Sequence, residues 1–306
     1  MKIKVLGSSA GGGFPQWNCN CRNCSGVRLG TLKAARRTQS SIAVGVNGKD
    51  WLLVNASPDL LTQIAASPAL QPARRTRDSG IAAVLLIDAQ IDHVTGLLML
   101  RERDTPLPIY ATDAVWQDLC GSFPVATILS HYCGVEHRRI ALDGAPLHVA
   151  QLDDVQIDAL PLSSKAPPYS SHRVAPERGD NIGLLFSNRK TGRRAFYAPG
   201  LGAIEAHVLE AMRSADLLLV DGTLWTGDEM TRLGLSTKTA ADMGHLPQSG
   251  PGGMIEQLDS LDTRGSRKVL IHINNTNPIL IEDSPERRIL SDHGIEVAYD
   301  GMTFDI

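Results

Sequence analysis

Residues 84–97 read VLLIDAQIDHVTGL, an apolar run that passes directly into a cluster of polar side chains. The continuous apolar stretch at residues 84–87 predicts a buried strand. Two aspartates, a glutamine and a histidine follow it, and the apolar spacing of residues 94–103 predicts a helix after them. Ligands of α/β proteins bind where strands end at their carboxyl edge, so this segment predicts a site at a strand end.

A second segment, at residues 269–278, repeats this arrangement with the sequence VLIHINNTNP. It places His272 in a polar tip that follows an apolar run. A lone histidine on a strand is more often a buried structural residue than a metal ligand. Two such strand ends in one chain nevertheless favour metal binding.

The rest of the chain has the pattern of an α/β protein, with sheets buried between layers of helices. Ser57-Pro58 is typical of a helix start and predicts a helix to residue 64, and Ser284-Pro285 repeats the device before Gly294 ends that helix. Apolar spacing predicts another helix at residues 203–212. Strands predicted near both ends of the chain favour a single domain over residues 1–306. The predicted strands are residues 3–6, 41–46, 51–54, 84–87, 155–160, 182–186, 196–198, 217–221, 269–273 and 295–298.

Composition excludes several classes of function. The chain has 306 residues, with 30 basic and 33 acidic side chains and a net charge of -3. This balance argues against a nucleic-acid-binding protein, which usually carries a strong basic excess. The longest apolar runs fall far short of the roughly 20 residues that a spanning helix needs, and the first residues lack the apolar length of a signal peptide. We therefore expect a cytoplasmic protein without a membrane segment.

Three of the five cysteines, Cys19, Cys21 and Cys24, form a Cys-x-Cys-x-x-Cys run. Thiolates this close together favour a single soft cation over disulfides, and zinc is the cation that sulfur-rich tetrahedral sites usually hold. Such sites are more often structural than catalytic. The loop at residues 18–24 is therefore predicted to hold a structural zinc ion, whose fourth ligand must come from elsewhere in the chain.

The remaining cysteines and several histidines have no motif around them. Cys120 and Cys133 lie among apolar residues and are predicted to be ordinary core residues. His131, His137 and His148 are interpreted as structural.

The strand-end clusters resemble the metal-binding motifs of the metallo-β-lactamase superfamily. The run Asp-x-Gln-x-Asp-His at residues 88–93 resembles the superfamily pattern His-x-His-x-Asp-His, and His272 resembles its last metal histidine. Residues 215–221, ADLLLVD, resemble another recurring strand. The Cys-x-Cys-x-x-Cys run also occurs in a phosphodiesterase branch of the superfamily.

Longer blocks resemble one branch of the superfamily, which acts in the biosynthesis of pyrroloquinoline quinone (PQQ). The likeness extends essentially from end to end and implies an αββα four-layer sandwich with the site at one edge of the paired sheets. It also implies work on PQQ or a peptide precursor that bears Glu and Tyr, alongside other proteins of that pathway. The blocks are GSSAGGGFPQWNCNC, SPDL, DAQIDHVTGL, FYAPGLG, LLVDGTLW, MGHLPQSGPGG and HINNTNPIL.

The resemblance also implies which metal ligands remain. Superfamily hydrolases hold two zinc ions, and Asp88 and Gln90 stand where the first two histidines of the first ion would be. The ligands of the second ion remain as Asp92, His93 and His272. Two imidazoles and one carboxylate form the facial triad of non-haem Fe(II) oxygenases, so we expect a catalytic iron there, although zinc and copper also accept this set.

Three further residues are candidates around these sites. Asp221 ends an apolar strand and is expected to support catalysis by orienting a ligand histidine, with a plain loop carboxylate as the alternative. His245 aligns with a histidine that is catalytic in some branches. In the phosphodiesterase branch the equivalent region completes the zinc site, so we expect His245 to be the fourth ligand beside the cysteines. His172 is expected to be an exposed loop residue, with a substrate contact or spare ligand as the alternative.

Three functions remain open from the sequence. The differences from the superfamily motifs favour an Fe(II)- and O₂-dependent hydroxylase acting on a tyrosine ring. Besides the changes at Asp88 and Gln90, residues 196–202, FYAPGLG, lack the aspartate that bridges two metals in hydrolases. The second is a soluble carrier that assists transport of PQQ or its precursor toward the periplasm. The third is a hydrolase that uses one zinc ion.

Overall fold

The structure is a computed structural model that describes residues 1–261 and 265–306. These residues form a seven-stranded sheet and a six-stranded sheet. The strands are β1 (Lys2–Gly7), β2 (Ser41–Gly45), β3 (Trp51–Val54), β4 (Ile81–Leu85), β5 (Leu107–Ala111), β6 (Val135–Arg139), β7 (Val155–Pro161), β8 (Ile182–Asn188), β9 (Arg194–Ala198), β10 (Leu217–Asp221), β11 (Arg267–Ile271), β12 (Ile295–Val297) and β13 (Thr303–Asp305).

Each sheet combines parallel and antiparallel strands. The first sheet has the order β13-β1-β2-β3-β4-β5-β6, and the second has the order β12-β11-β10-β9-β8-β7. Strands β3 to β6 pair in parallel, and so do β9 to β12. Strand β13 pairs with β1 through Ile3 and Phe304, so both ends of the chain belong to one sheet.

The main core lies between the two sheets. Along β10, Leu217 and Leu219 belong to the cluster of buried side chains that joins the sheets. Their neighbours Leu218 and Val220 pack on the opposite face with the helices. Because successive side chains of a strand point to opposite faces, a strand buried on both faces is apolar along its length, as residues 217–220 (LLLV) of β10 are before Asp221 ends the strand.

Helices cover the outer face of each sheet and complete the predicted αββα sandwich. Helices α2, α4 and α5 pack on the first sheet, and α6, α9 and α10 pack on the second. Among the described residues, none of the helices combines the length and apolar character needed to cross a lipid bilayer. The helices are α1 (Arg22–Leu29), α2 (Leu60–Ala65), α3 (Ile91–Val94), α4 (Asp113–Cys120), α5 (Val125–Leu129), α6 (Ala206–Arg213), α7 (Glu229–Arg232), α8 (Ala240–Met243), α9 (Met254–Ser260) and α10 (Pro285–Asp292).

The predicted helix starts are confirmed for α10 and displaced for α2. The hydroxyl of Ser284 accepts a hydrogen bond from the backbone N–H of Arg287 at 3.1 Å, and Gly294 adopts φ +64° after the helix ends. Helix α2 begins at Leu60, three residues after Ser57, because residues 58 and 59 form a turn first.

Other expectations about elements were wrong. Residues 94–103 do not form an α-helix: α3 ends at Val94, and a 3₁₀ segment, Thr95–Leu100, follows. Strands β5, β6 and β13 were not predicted. A proline lies inside β5, and β6 is an edge strand with the charged sequence VEHRR, so neither has the apolar alternation of a typical strand.

Three strand ends meet at one edge of the sandwich. Strand β4 leads into residues 86–93, β10 ends at Asp221, and β11 ends one residue before His272. The segment after β1 crosses to the second sheet, where the backbone N–H of Ala10 donates to the carbonyl of Ile273 at 2.9 Å. This crossing brings the carboxyl ends of strands from both sheets together at the predicted site.

Candidate metal centre

The first functional side chain, His93, is fixed by the short helix that follows β4. It is buried at 3% exposure, and its Nδ1 donates to Oδ1 of Asp88 at 2.7 Å. Because a carboxylate only accepts, Nδ1 carries a proton in either protonation state, and in the neutral imidazole Nε2 carries the lone pair. That Nε2 atom is buried and has no hydrogen-bond partner among the described residues.

Asp92, His93 and His272 converge as the sequence predicted. The Nε2 atom of His93 lies 3.7 Å from Oδ2 of Asp92, and Nε2 of His272 lies 3.6 Å from the same oxygen. The two imidazole rings are 5.5 Å apart and nearly perpendicular, at 70°. All three residues offer ligand atoms within 4.8 Å of one another.

His272 is held in an uncommon backbone conformation at the end of β11. Its φ is +60°, a left-handed value that few residues other than glycine adopt. The hydroxyl of Thr223 donates its one proton to Asp221 at 2.6 Å and so accepts from Nδ1 of His272 at 3.0 Å. This contact leaves Nε2 of His272 free to face Asp92. Backbone strain of this kind persists where the surrounding structure holds it, typically at functional sites.

Electrostatic attraction stabilises Asp92 and the two histidines beside it in the metal-free protein. Burial disfavours the charged form of Asp92, but the charges of His93 and His272 outweigh it and hold its pKa below the usual range. Burial likewise opposes protonation of His93, yet the carboxylates of Asp88 and Asp92 raise its pKa to about 9. Protons therefore occupy the place that a cation would take.

The residues fit a divalent metal ion. The main observation is that Nε2 of His93 has no partner among the described residues. A buried polar atom without a partner is energetically costly, and a bound metal ion would satisfy it. The acceptor set of two imidazole nitrogens and one carboxylate oxygen is the set that zinc, copper and non-haem iron accept. The donors lie on the wall of a cavity of about 310 Å³, which leaves room for a small substrate.

The structure corrects the expectation for His245, which lies in this cavity and not with the cysteines. Its Nδ1 donates to Oδ2 of Asp221 at 2.7 Å, and its ring stacks 5.5 Å from that of His272. Burial disfavours protonation, but Asp221 reverses the effect and raises the pKa of His245. His245 therefore belongs beside the predicted catalytic metal.

Asp221 holds several groups in place. It is fully buried, and burial would raise its pKa, but the charge and hydrogen bond of His245 lower it. Its carboxylate also accepts from the backbone N–H groups of Leu201 and Thr223, each at 2.9 Å. Asp221, His245 and His272 also lie within 4.8 Å of one another. The oxygens of Asp221 are already engaged, so this residue fits the predicted orienting role better than that of a metal ligand.

The cysteines form a second candidate metal site. The thiols of Cys19, Cys21 and Cys24 lie within 4.8 Å of one another, and Cys21 is also the N-cap of α1. Burial raises the pKa of Cys19, but hydrogen bonds from Cys21, Cys24 and Asn275 outweigh it and lower that pKa. Burial raises the pKa of Cys21 to about 12.

Sequence reasoning missed Asn275, the fourth member of this cluster. Its amide nitrogen lies 3.1 Å from Sγ of Cys19, 3.7 Å from Cys21 and 3.3 Å from Cys24. The side-chain amide of Asn23 donates to the carbonyl of Asn275 at 3.1 Å and ties α1 to this loop. The signal was present in the polar tip after His272, but nothing in the sequence joins that tip to the cysteines.

Other predictions about isolated residues were wrong or stay untested. His172 is buried, with Nδ1 at 2.8 Å from Asp180 and Nε2 at 3.6 Å from Asp118. It is not an exposed loop histidine. Cys120 is exposed at the end of α4 and Cys133 is half-buried, so Cys120 is not a core residue.

The three histidines that were interpreted as structural have different surroundings. His137 stacks on Trp116 with the ring centroids 4.2 Å apart. His131 and His148 are exposed.

Comparisons with known proteins agree with the fold and the motifs. Residues 50–273 match the model of the β-lactamase superfamily domain. Coenzyme PQQ synthesis protein B of Cupriavidus necator is 63% identical over 300 residues, which cover 98% of each chain. The protein of the same name from Azoarcus sp. strain BH72 is 58% identical over 306 residues, which cover 100% of each.

Solved structures give the same result. The crystal structure of zinc-bound PqqB from Methylobacterium extorquens aligns over all of both chains with a TM-score of 0.90 and 38% identity. A diphosphatase of the PhnP family, at 18% identity, aligns over 100% of this chain and 97% of its own with a TM-score of 0.68, which shows the shared fold.

Proposed function

Since the chain belongs to the coenzyme PQQ synthesis protein B family of the β-lactamase superfamily, and so acts in PQQ biosynthesis, we propose that it hydroxylates a tyrosine ring with iron and O₂. The substrate is a peptide-derived precursor that bears Glu and Tyr. The single observation that carries this proposal is the convergence of Asp92, His93 and His272 in a cavity. Two imidazoles and one carboxylate form the ligand set that non-haem Fe(II) oxygenases use.

Asp92, His93 and His272 are the proposed iron ligands. Iron(II) bound there would supply the activation of O₂ beside the substrate ring. The neighbouring residues hold the ligands in one orientation: Asp88 keeps the proton of His93 on Nδ1, and Thr223 does the same for His272. Such supporting contacts fix the ligand tautomers and raise their basicity.

His245 and Asp221 are proposed to handle the proton of the substrate phenol. Asp221 holds Nδ1 of His245, so Nε2 is the ring nitrogen left to the cavity. An imidazole in this position accepts a proton as the ring is activated and returns it afterwards, and the buried carboxylate stabilises the imidazolium between these two events. The resemblance of His245 to a histidine that is catalytic in some branches of the superfamily supports this role.

The cysteine cluster is proposed to hold a structural zinc ion with Asn275 as the fourth ligand. The amide end of Asn275 lies at similar distances from all three sulfurs, as the fourth corner of a tetrahedron would. The nitrogen and oxygen of an amide exchange places by a half-turn, so the oxygen is available at that corner. Zinc there would join α1 to the loop that carries His272.

The reaction needs two electrons from outside the chain. One oxygen atom of O₂ enters the ring C–H bond, and the other leaves as water with two protons and two electrons from an added reductant such as ascorbate. The test is oxygen uptake by protein loaded anaerobically with Fe(II), given a Glu-Tyr dipeptide and ascorbate. We expect one O₂ consumed for each hydroxylated product, and loss of both signals in Asp92→Ala and His272→Ala. A matched control is Asp113→Ala, an exposed aspartate that pairs with Arg139.

The carrier function is the second candidate, because the cavity would also accept an acidic quinone. Absence of oxygen uptake together with tight binding of PQQ would contradict the hydroxylase and leave the carrier. Zinc-supported cleavage of the dipeptide without O₂ would instead favour a hydrolase.

A further inference from the structure

The metal cavity has two cationic side chains on its wall in addition to the proposed ligands. Arg173 and Lys238 line it, and no carboxylate of the described residues lies within 4.0 Å of either cation. Asp242 also lines the cavity; its carboxylate accepts from the backbone N–H and hydroxyl of Thr239, at 2.9 and 2.8 Å, and attracts Lys238 electrostatically. Arg173 is therefore the cation of the lining that is best placed to meet a negatively charged ligand.

Arg173 is fixed in position by its loop, residues 162–181, which joins β7 to β8 and is called here the β7–β8 loop. One guanidinium nitrogen donates to the carbonyl of the buried residue Ala166. The neighbouring His172 is buried between Asp118 of α4 and Asp180. A half-buried arginine that is held in this way keeps most of its five N–H donors for a ligand.

The same loop is attached to the metal-binding segment. The hydroxyl of Tyr169 donates to the carbonyl of Ala89, and its ring packs 5.6 Å from that of Phe123. Ala89 lies between Asp88 and the proposed ligands in sequence. Arg173 therefore keeps a fixed relation to the metal centre, which is what selective recognition of a charged group requires.

Part of the cavity lining is apolar. Leu224, Met230, Met243 and Pro168 contribute to it, and methionine sulfur packs well against aromatic rings. A ligand with an aromatic ring system and at least one carboxylate would fit both the cationic and the apolar parts of the lining.

We infer that Arg173 is the residue that recognises the carboxylate of an aromatic-bodied acid in the metal cavity, with Lys238 as a weaker second cation. This inference rests on the proposed function for the reacting site and adds to it the residue that selects the substrate. Arginine grips a carboxylate through two parallel hydrogen bonds, whereas the exposed lysine offers only a mobile point charge. The carboxylate could belong to the Glu-Tyr precursor or to PQQ, and both share this chemistry.

The test compares binding of acids with binding of their neutral analogues. Calorimetric titration of zinc-loaded protein, which binds without turnover, would use Glu-Tyr dipeptide, its amide-blocked analogue, PQQ and its trimethyl ester. In the wild type we expect at least one acid to bind on the order of 10- to 100-fold tighter than its neutral analogue. In Arg173→Gln that ratio falls to about one while the neutral analogue binds as before. Arg173→Lys retains part of the ratio.

Control variants separate this role from general charge and from folding. Arg213→Gln removes an exposed arginine at the end of α6, away from the cavity lining, and should leave the ratio unchanged. Because the ratio is taken within each variant, partial loss of folded protein does not alter it. The acid that binds more tightly than its neutral analogue identifies the source of the carboxylate.

Several results would overturn the assignment. These are equal binding of acid and neutral analogue by the wild type, failure of all four probes to bind, or an unchanged ratio in Arg173→Gln. Selective binding without any oxygen uptake would contradict the hydroxylase and leave the role of Arg173 intact. Oxygen uptake that does not depend on the substrate carboxylate would contradict the role of Arg173 and leave the hydroxylase intact.

Discussion

His93 is the residue on which the metal centre depends most, because its neighbours fix both its tautomer and its orientation. Asp88 fixes its tautomer, Asp92 faces its other nitrogen, and burial removes water as an alternative partner. Asp88 stands where the superfamily pattern has a metal histidine. The structure shows that its carboxylate instead supports the histidine five residues later.

Replacing Asp88 by asparagine should therefore weaken metal binding without removing a proposed ligand. Loss of such a supporting carboxylate typically costs about 10- to 100-fold in metal affinity. Competition with a chromophoric chelator measures this change. Asp113→Asn, at an exposed ion pair with Arg139, is the control and should match the wild type. Equal affinities in all three proteins would mean that Asp88 does not support the metal.

The pKa of His93 predicts how metal-free protein responds to pH. A histidine whose pKa is raised in the folded state stabilises the fold below its unfolded value, near 6.5, and loses this contribution as the pH rises through about 9. Chelator-treated wild type should thus lose stability relative to His93→Gln across this interval. Urea unfolding at several pH values measures the difference.

Metal binding should show the opposite trend, because the ion must displace the same proton. The affinity for Zn²⁺ should rise from pH 6.5 toward 9 and then level off. A pH-independent difference between the wild type and His93→Gln in the metal-free state would contradict the assigned pKa shift.

At the scale of elements, strand ends were predictable and long-range partners were not. Apolar runs that end in acids and histidines predicted the segments of the site, because a strand and the residues after it are adjacent in sequence. The resemblance to the superfamily motif then implied Asp92, His93 and His272 as the ligands within them. Asn275 approaches Cys19 across 256 residues, and no local pattern records that contact. His172 was assigned to an exposed loop for a similar reason: Asp118 lies on α4, far away in sequence, and Asp180 lies further along the same loop.

Lengths of elements were also decided by tertiary structure. Residues 94–103 have helical spacing, but the chain turns into a 3₁₀ segment after one helical turn. There the backbone N–H of Gly96 donates to the carbonyl of Ala56 at 2.9 Å. A Cβ on Gly96 would lie 2.1 Å from the carbonyl oxygen of Ser57, so only glycine permits this close approach. Contact with α2's preceding loop thus overrides local propensity.

The two candidate metal sites belong to different elements and should be separable by mutation. Cys24→Ser removes a sulfur from the cluster at α1, and His272→Ala removes a proposed ligand at the end of β11. We expect each variant to lose one equivalent of metal and to keep the other, measured by elemental analysis after zinc loading. Cys120→Ser, at an exposed cysteine, should lose none.

The zinc at the cysteines should also stabilise the fold, because α1 and the loop at Asn275 are joined there. Cys24→Ser should therefore lower the melting temperature more than Cys120→Ser does, and added chelator should abolish the difference. Loss of both metals in a single variant would mean that the sites are not independent.

At the scale of the whole molecule, the central core joins the two sheets. Strands β1 and β13 pair although they lie at opposite ends of the chain, and the same buried cluster contains side chains from both sheets. We propose from this arrangement that residues 1–306 unfold as one cooperative domain. The sequence supported this view through strands near both ends, whereas the charged edge strand β6 left no comparable signal.

A cavity in the central core should destabilise the entire chain. Leu219 is fully buried between the sheets, and Leu→Ala substitutions at such sites cost about 2–5 kcal/mol. Leu61→Ala, at an exposed leucine of α2, should change stability by less than about 0.5 kcal/mol. Urea unfolding followed by two spectroscopic probes measures both. Two separate transitions would contradict the single-domain proposal.

The most direct test of the central claim is mass spectrometry of the product formed under ¹⁸O₂ by Fe(II)-loaded protein with Glu-Tyr dipeptide and ascorbate. We predict a dipeptide whose tyrosine ring carries one ¹⁸O atom. That product should be absent from Asp92→Ala and from zinc-loaded protein, and present with Asp113→Ala. An unlabelled product, a cleaved dipeptide or equal labelling in Asp92→Ala would contradict oxygen insertion at the Asp92, His93 and His272 centre.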